Sequence, residues 1–343
     1  MPRSSVPTLV SPAPPLGALL KRYAAGSALT CDPVDQGLLN RGYRLCTTRG
    51  RYFLKHHFDP ETADPSAIAR QHRATQRLAD LGVPVVPPLA GRDGRTVAVV
   101  GGHAYALHPW IDGRHRHGGQ LSTRQCGRLG ALLGVVHASL ERVMPPRGRA
   151  ATEPAPSADP ADTFTLIDAL LARVRRHRPA DAFDELARYR LLERRVLLER
   201  HRGQRPPRAG SVGWVHGDFH PFNVLYQDDV PAAIVDWDRL GVQPRAEEAV
   251  RAAMIFFVRP TGTLDLPKVR SYARAYRRTA GAAPSELTAA VHRVWWERLN
   301  DFWMLRWHYE RGDIRADCQF PASSALVVWW TREYEAVCEA FAG

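Results

Sequence analysis

The chain has 343 residues, of which 45% are hydrophobic and 24% charged, and its formal net charge is +12. This length suits two packed lobes, and these fractions are ordinary for a soluble globular protein. No apolar run approaches the ~18 residues that a membrane helix requires, and prolines interrupt the stretch 1–20. We therefore predict no membrane span and no secretory signal. The five cysteines are scattered and odd in number, which favours reduced thiols in the cytoplasm over a disulfide framework or a zinc site.

The positive charge reflects a general preference for arginine. Of the 47 basic residues only Lys21, Lys55 and Lys268 are lysines. The densest basic stretch, 187–208, interleaves acidic and apolar residues at helical spacing, which is typical of a solvated helix face. We predict no nucleic-acid partner, and a monomer or homodimer.

The first hundred or so residues predict a small sheet with one helix. After a partly disordered extension at 1–30, residues 37–57 indicate a β-hairpin around an Arg49-Gly50 turn. A helix follows, with Asp64 as N-cap and Gly82 at its end. The stretches 95–100 and 103–110 predict two more strands around Gly101-Gly102.

Beyond Ser122 the pattern is mainly helical. Ser122 and Gln125 have the spacing of a capping box and open the first helix. Further helices are predicted at 164–178, 182–202, 245–258, 265–279, 285–311 and 324–340, the 285–311 helix capped by Ser285 and Gly312. We predict an α+β protein of two lobes, a β-rich N-lobe at 31–112 and a larger helical C-lobe at 113–343.

One stretch places ionisable groups in an otherwise apolar, strand-like setting. It reads VHGDFHPFNVLY at 215–226, and IVDWD follows at 234–238. Asp218 and Asn223 lie five residues apart, and Asp236 comes eighteen residues after Asp218. A carboxylate can orient a hydroxyl and accept its proton, whereas an amide oxygen and a second carboxylate are hard ligands suited to Mg²⁺. Phosphoryl transfer requires these groups.

With these two motifs, the chain resembles the aminoglycoside phosphotransferase and choline kinase-like family, relatives of protein kinases that phosphorylate small molecules. The family motif H-G-D-x-H-x-x-N is met by His216, Gly217, Asp218, His220 and Asn223. The motif I-x-D-[WF]-[DE] is met by Ile234, Asp236, Trp237 and Asp238. The resemblance implies a bilobal protein-kinase-like fold that binds ATP and Mg²⁺ between its lobes. It implies a small-molecule hydroxyl acceptor, Asp218 as the catalytic residue, and metal ligation by Asn223 and Asp236, with Asp238 as an additional contact.

The resemblance also implies nucleotide contacts in the N-lobe. Lys55 on the second hairpin strand would hold the phosphates. A lysine at this position in a chain that otherwise uses arginine favours this role, because it suggests that a compact charge is required. Asn40 and Gly42 stand where the family's phosphate-covering turn lies. His108 and Trp110 fall in the segment that resembles the hinge, whose backbone would pair with adenine.

One position departs from the family pattern. The family usually pairs its lysine with a glutamate on the N-lobe helix, whereas this helix has Gln71 there, on its inward face. A neutral amide can hydrogen-bond Lys55 without neutralising it. Glu61 or Asp64 could pair with Lys55 instead of a glutamate on the helix. If neither does, Gln71→Glu is expected to raise activity.

Two other functions remain open on the sequence alone. A non-catalytic ATP-binding pseudokinase would keep the same motifs. A metallophosphoesterase would use HGDFH as metal ligands, but its other motifs are missing. His216 is more readily explained as a residue that orients the loop by hydrogen bonds to backbone.

The acceptor is not specified by the sequence. Aminoglycosides, amino alcohols, homoserine-like compounds and sugars all fit. We predict that the tryptophans of the carboxy-terminal half belong to the hydrophobic core and do not form a cage for an amine. Three acids, Glu247, Glu248 and Asp301, are candidates for attracting a cationic acceptor.

Overall fold

The computed structural model describes residues 13–34, 40–58, 63–144, 156–208 and 212–343. The first twelve residues of the predicted 1–30 extension, and Glu61, lie outside them. The contacts divide the chain into two compact units. The first contains the residues up to Gln76 and Val86–Ile111, and the second contains Arg77–Val85 and Asp112–Gly343.

The first unit is built on one antiparallel sheet with the strand order β1-β2-β3-β5-β4. Its described elements are α1 (Leu16–Tyr23), β1 (Ala28–Val34), β2 (Arg41–Thr47), β3 (Gly50–His57), α2 (Pro65–Asp80, whose last turn belongs to the second unit), β4 (Ala98–Val100) and β5 (His103–Pro109). The predicted hairpin is β2–β3, but its turn is Thr48-Arg49, one residue earlier than expected, because Thr47 pairs with Gly50. The predicted Gly101-Gly102 turn is confirmed, with positive φ at both glycines.

Two elements of the first unit, α1 and β1, were not predicted. Helix α1 buries Leu19, Leu20 and Tyr23 against the sheet. The Tyr23 hydroxyl donates to the carbonyls of Thr96 and Tyr105, 73 and 82 residues away. These contacts are long-range, so the proline-rich local sequence gave no signal for them.

Helix α2 begins as expected. The Asp64 carboxylate accepts the backbone N–H groups of Ser66 and Ala67 at 3.1 and 3.0 Å. This bond pattern satisfies donors that a helix start leaves free.

The second unit is mainly helical. Its described helices are α3 (Thr123–Val143), α4 (Pro160–Arg176), α5 (Ala182–His201), α6 (Arg245–Phe257), α7 (Leu266–Ala280), α8 (Pro284–Asn300), α9 (Trp303–Arg306), α10 (Phe320–Arg332) and α11 (Tyr334–Ala342). Its described strands are β6 (Arg114–His115), β7 (Gly213–Val215), β8 (Val224–Gln227), β9 (Val230–Ile234) and β10 (Gly241–Gln243), in two small sheets, β6-β8-β9 and β10-β7. The capping box of Ser122 and Gln125 at the start of α3 is confirmed.

The two long carboxy-terminal helices that we predicted are each broken. Helix α8 ends at Asn300, and the backbone of Asp301 is extended. The Asp301 side-chain carboxylate accepts the N–H of Trp303, the first residue of α9, at 3.0 Å. A single π-helical turn, Trp307–Arg311, follows α9. The second predicted helix is interrupted at Glu333, between α10 and α11.

The predicted caps of the 285–311 helix have different outcomes. Ser285 is not the N-cap: Ala283 holds that position, and its N–H donates to Glu286 at 3.1 Å. Gly312 does end the π-helical turn in a left-handed conformation, as expected.

Helices α3 and α7 approach each other closely through two glycines. A Cβ on Gly130 would lie 2.1 Å from the carbonyl oxygen of Tyr272, and one on Gly134 would lie 1.9 Å from the Thr279 hydroxyl. This packing places His137 of α3 beside Tyr276 of α7 in the interior. Among the described helices, none is sufficiently long and apolar to cross a lipid bilayer.

Candidate active site

The stretches 215–226 and 234–238 form a loop followed by a β-hairpin, and the two ends of the hairpin lie side by side. Residues Pro221–Asn223 form a short 3₁₀ turn that leads directly into β8. Strands β8 and β9 pair Val224 with Ile234, and the Val235 N–H donates to the Asn223 carbonyl at 3.0 Å. Asn223 therefore lies at the end of the hairpin from which Asp236 continues.

His216 ties the loop to the end of β9. It is fully buried; its Nε2 donates to the Val235 carbonyl at 3.0 Å, and its Nδ1 accepts the Asp218 N–H at 3.2 Å. Burial lowers the pKa of His216 despite the opposing influence of Glu248, so the ring stays neutral. This geometry confirms the prediction that His216 orients the loop. With both nitrogens engaged, His216 does not offer the ligand that a metallophosphoesterase reading of HGDFH requires.

Gly217 has a conformation that other residues rarely adopt. Its φ is +87°, and a Cβ there would lie 2.1 Å from the carbonyl oxygen of Arg239. The segment after Asp238 thus packs directly against the loop, and only glycine fits between them.

A buried carboxylate on α6, Glu248, holds the start of this loop. Glu248 is 3% exposed and accepts the N–H groups of His216, at 3.2 Å, and Gly217. His137 Nε2 donates to the same carboxylate at 2.7 Å, and the Tyr276 hydroxyl lies 3.0 Å from His137 Nδ1. Burial alone would raise the pKa of Glu248, but the bonds from His137 and Gly217 outweigh it and hold the pKa below 4.5.

This role of Glu248 was missed in the sequence. Glu248 was one of three candidate acids for attracting a cationic acceptor, and the structure excludes it from that role because the carboxylate is buried and bonded to the loop. Its position 32 residues after His216 gives no local signal of the contact.

Asp218 is partly exposed to solvent and ionised. Its side chain is 37% exposed, and its Oδ2 lies 3.5 Å from His220 Nε2. Burial would raise the pKa of Asp218, but the bond to His220 and the positive charge of Arg239 lower it below 3.8. The group is therefore ionised at neutral pH.

Asn223 and Asp236 offer oxygen atoms at the same end of the hairpin. Asn223 Nδ2 donates to the Asp218 carbonyl at 2.8 Å, an orientation that leaves Oδ1 as the oxygen it can offer to a cation. Asp236 is exposed and has φ +61°, in the left-handed region that aspartate tolerates better than most residues. Trp237 anchors the turn, because it is buried and its Nε1 donates to the Ile234 carbonyl at 3.2 Å.

The donor set fits a hard divalent cation. An amide oxygen and carboxylate oxygens are what Mg²⁺ prefers, and the half-buried Asp238 adds a further carboxylate. Site assignments for Asn223, Asp236 and Asp238 nevertheless remain predictions.

In the first unit, Lys55 lies on β3, the middle strand of the sheet, half-buried and paired with Gly42 of β2 and Ala106 of β5. On α2, Gln71 is half-buried, in agreement with its predicted inward face. The adjacent His72 is buried, and burial, His108 and then Lys55 lower its pKa to about 3. A neutral imidazole therefore lies near the Lys55 ammonium.

The other predicted nucleotide contacts have structural partners of their own. Asn40 Oδ1 accepts the Phe58 N–H at 3.0 Å and closes the open end of the β2–β3 hairpin. A Cβ on Gly42 would lie 2.6 Å from the ring of Phe53, so this ring would have to shift to admit another residue at position 42.

The predicted hinge residues are also engaged within the first unit. The Trp110 N–H donates to the Arg51 carbonyl at 3.0 Å, so this backbone donor is not available to pair with adenine. His108 Nδ1 lies 3.0 Å from the Val86 carbonyl, and the ring of Trp110 stacks under the Arg44 guanidinium.

Three of the carboxy-terminal tryptophans are core residues. Trp295, Trp296 and Trp330 are at most 1% exposed, which confirms core packing for these three. Of the two other acids considered for the acceptor, Glu247 pairs with Arg293 and Arg251. The charge of Glu247 is thus largely neutralised within the unit.

Comparison with known proteins identifies the family. Residues 30–282 match the model of the phosphotransferase enzyme family, and the chain belongs to this family. It is a small-molecule kinase with the predicted α+β fold, sheet-rich at its amino-terminal part and mainly helical beyond it. Membership implies ATP and a divalent metal ion as cofactors, in agreement with the sequence prediction.

Several of the relatives that match this chain are homoserine kinases. The chain is 23% identical to homoserine kinase of Acidiphilium cryptum (strain JF-5) over 322 residues, covering 87% of this chain and 94% of the relative. It is 25% identical to homoserine kinase of Methylobacillus glycogenes over 304 residues, covering 82% and 83%.

Solved structures share the fold at lower identity. An amicoumacin kinase in complex with AMP-PNP, Ca²⁺ and Ami aligns with TM-score 0.60 and 16% identity over 93% of this chain and 92% of the other. A microcompartment-associated aminopropanol kinase aligns with TM-score 0.59 and 16% identity over 94% and 98%.

Proposed function

We propose that this protein transfers the γ-phosphoryl group of ATP to the hydroxyl of a small amino-bearing alcohol, with homoserine as the first candidate. Asp218 acts on the acceptor hydroxyl, Asn223 and Asp236 bind the divalent cation, and Lys55 binds the nucleotide phosphates. The observation that supports this best is the way His216 connects the Asp218 N–H to the end of the hairpin that carries Asn223 and Asp236.

The chemistry follows from the charges of these groups. A divalent cation held by Asn223 and Asp236 would supply positive charge to the phosphate oxygens. Asp218, ionised because its pKa is lowered, accepts the proton of the acceptor hydroxyl as that oxygen bonds to the γ-phosphorus and the bond to ADP breaks. A carboxylate with a low pKa is a weak base, so positioning of the hydroxyl by Asp218 contributes more than proton affinity.

The acceptor class rests on the relatives. Homoserine kinases of two organisms align with this chain over more than four fifths of their own length. Homoserine carries both an amine and a hydroxyl, as does the aminopropanol named for one structural neighbour. An amino alcohol is therefore the alternative acceptor.

A panel of acceptors tests this proposal. ADP formation by the purified chain with Mg·ATP is measured with L-homoserine, aminopropanol, choline and spectinomycin, each against a reaction without acceptor. The matched control for homoserine is L-2-aminobutyrate, which has the same carbon skeleton without the hydroxyl. We expect homoserine, and not 2-aminobutyrate, to stimulate ADP formation and to be recovered as its phosphate ester.

Two results would contradict the proposal. Faster turnover with spectinomycin than with homoserine would assign an antibiotic acceptor. ATP binding without stimulated turnover by any acceptor would favour the pseudokinase reading.

A further inference from the structure

A second cluster of metal-binding side chains lies in the second unit, in residues that the proposed reaction does not use. His177, Asp184 and His308 each offer one ligand atom, and these atoms lie within 4.8 Å of one another. His177 follows α4 directly, Asp184 lies in the first turn of α5, and His308 lies on the π-helical turn. Three separate segments therefore converge on one point.

Asp184 is fixed before any ligand arrives. It is 4% exposed, and its Oδ1 accepts the Tyr309 hydroxyl at 2.7 Å. Its Oδ2 accepts the Asp181 N–H at 3.0 Å. His177 Nδ1 also lies 2.9 Å from Oδ2, so a cation bound here would replace the proton between these two atoms while the other two donors keep the carboxylate in place.

His308 has the outer partner that is typical of a metal-binding histidine. Its Nδ1 lies 2.8 Å from Asp317 Oδ2, which leaves Nε2 as the nitrogen available to a cation. The side chain is 8% exposed, and its ring stacks on Phe183 with 4.3 Å between centroids. Both tautomer and orientation of the ring are thus set by the fold.

The donor types select the class of metal. Two imidazole nitrogens and one carboxylate oxygen suit Zn²⁺, whereas Mg²⁺ prefers oxygen ligands alone. Zinc bound at its usual distances holds ligand atoms about 3.3 Å apart. Ligand atoms within 4.8 Å of one another reach this spacing by side-chain rotations, in which His177 Nδ1 gives up its hydrogen bond to Asp184 Oδ2 at 2.9 Å. The side chain of His177 is 38% exposed, which gives an ion a route from solvent.

We propose that His177, Asp184 and His308 form a Zn²⁺ site whose fourth ligand is water. The ion joins the turn between α4 and α5 to the π-helical turn. These segments cover a separate apolar cluster that includes Ile167, Leu191 and Phe302. Zinc at this point stabilises that part of the helical unit and takes no part in phosphoryl transfer.

The first test measures zinc in the full-length protein. After incubation with Zn²⁺ and gel filtration, wild type is expected to retain one more equivalent than His308→Gln or Asp184→Asn. His103→Gln removes an exposed histidine of the first unit and is the matched control, expected to retain as much as wild type. Wild-type retention equal to that of His308→Gln would overturn the proposal.

The second test does not depend on how the variants fold. Anomalous scattering at the zinc edge from crystals of the wild-type chain is expected to place an ion between His177 and His308. The melting temperature of wild type without nucleotide is expected to fall by a few degrees when a chelator replaces Zn²⁺. No anomalous peak there, together with an unchanged melting temperature, would show that the cluster is a hydrogen-bond network in which His177 donates to Asp184 at 2.9 Å.

Discussion

The loop at 216–218 and the predicted nucleotide contacts of the first unit are held in different ways. The loop depends on two buried side chains, Glu248 and His216, which bond its backbone groups. Lys55, in contrast, lies on a strand that is paired on both sides, so the sheet itself fixes its backbone. A single substitution can therefore release the loop, whereas the strand tolerates the loss of any one neighbouring side chain.

The largest loss of stability is expected for Glu248→Ala, which removes the buried acceptor of the loop. The substitution leaves the N–H groups of His216 and Gly217 and the ring of His137 without their buried acceptor. We expect the free energy of unfolding to fall by about 3–5 kcal/mol, the range for breaking a buried charge network. Urea unfolding measures this loss.

The matched control for that substitution is Glu297→Ala on α8. Glu297 is 39% exposed and pairs with Arg251 at 2.8 Å. An ion pair this exposed contributes about 0–1 kcal/mol. Equal losses in both variants would show that Glu248 has no special role in holding the loop.

A smaller change in stability is expected when the pH is lowered, because Glu248 becomes protonated. The pKa of Glu248 is below 4.5 in the folded protein, so its stabilisation is complete above about pH 4.5 and is lost as pH falls through the folded-state pKa. Glu248→Gln is expected to be less stable than wild type at pH 7, with the difference narrowing as the pH falls below 4.5. Urea unfolding at several pH values measures it; a difference that does not change with pH would contradict the assigned direction of the shift.

The smallest effect is expected for Asn40→Ala in the first unit. It removes the acceptor of the Phe58 N–H, a partly exposed hydrogen bond worth about 1 kcal/mol. Because the strands hold Lys55, we expect KM for ATP to change less than twofold. A tenfold rise in KM would instead support the prediction that Asn40 contacts the nucleotide.

These differences also explain what the sequence predicted well. The spacing of Asp218, Asn223 and Asp236 reflects a loop and a hairpin that are local in sequence, so both could be predicted. The capping box of α3 and the N-cap of α2 are local signals of the same kind.

Features set by distant contacts could not be predicted in the same way. Helix α1 depends on packing and on the bonds of Tyr23 to residues 73 and 82 positions away, and Glu248 reaches the loop across 32 residues. The break after α8 had a local signal in Asn300 and Asp301, two residues that favour helix ends, but the apolar pattern on both sides obscured it.

In the proposed mechanism Asp218 acts on the acceptor, whereas Asp236 acts on the metal-bound nucleotide. The most direct test measures single-turnover phosphorylation of homoserine at saturating Mg·ATP, together with the dissociation constant of Mg·ATP, in wild type, Asp218→Asn and Asp236→Ala. We predict that Asp218→Asn binds Mg·ATP as wild type does but transfers phosphate roughly 10²–10⁴-fold more slowly, and that Asp236→Ala binds Mg·ATP more weakly. Equal rates of phosphate transfer in wild type and Asp218→Asn would contradict the account.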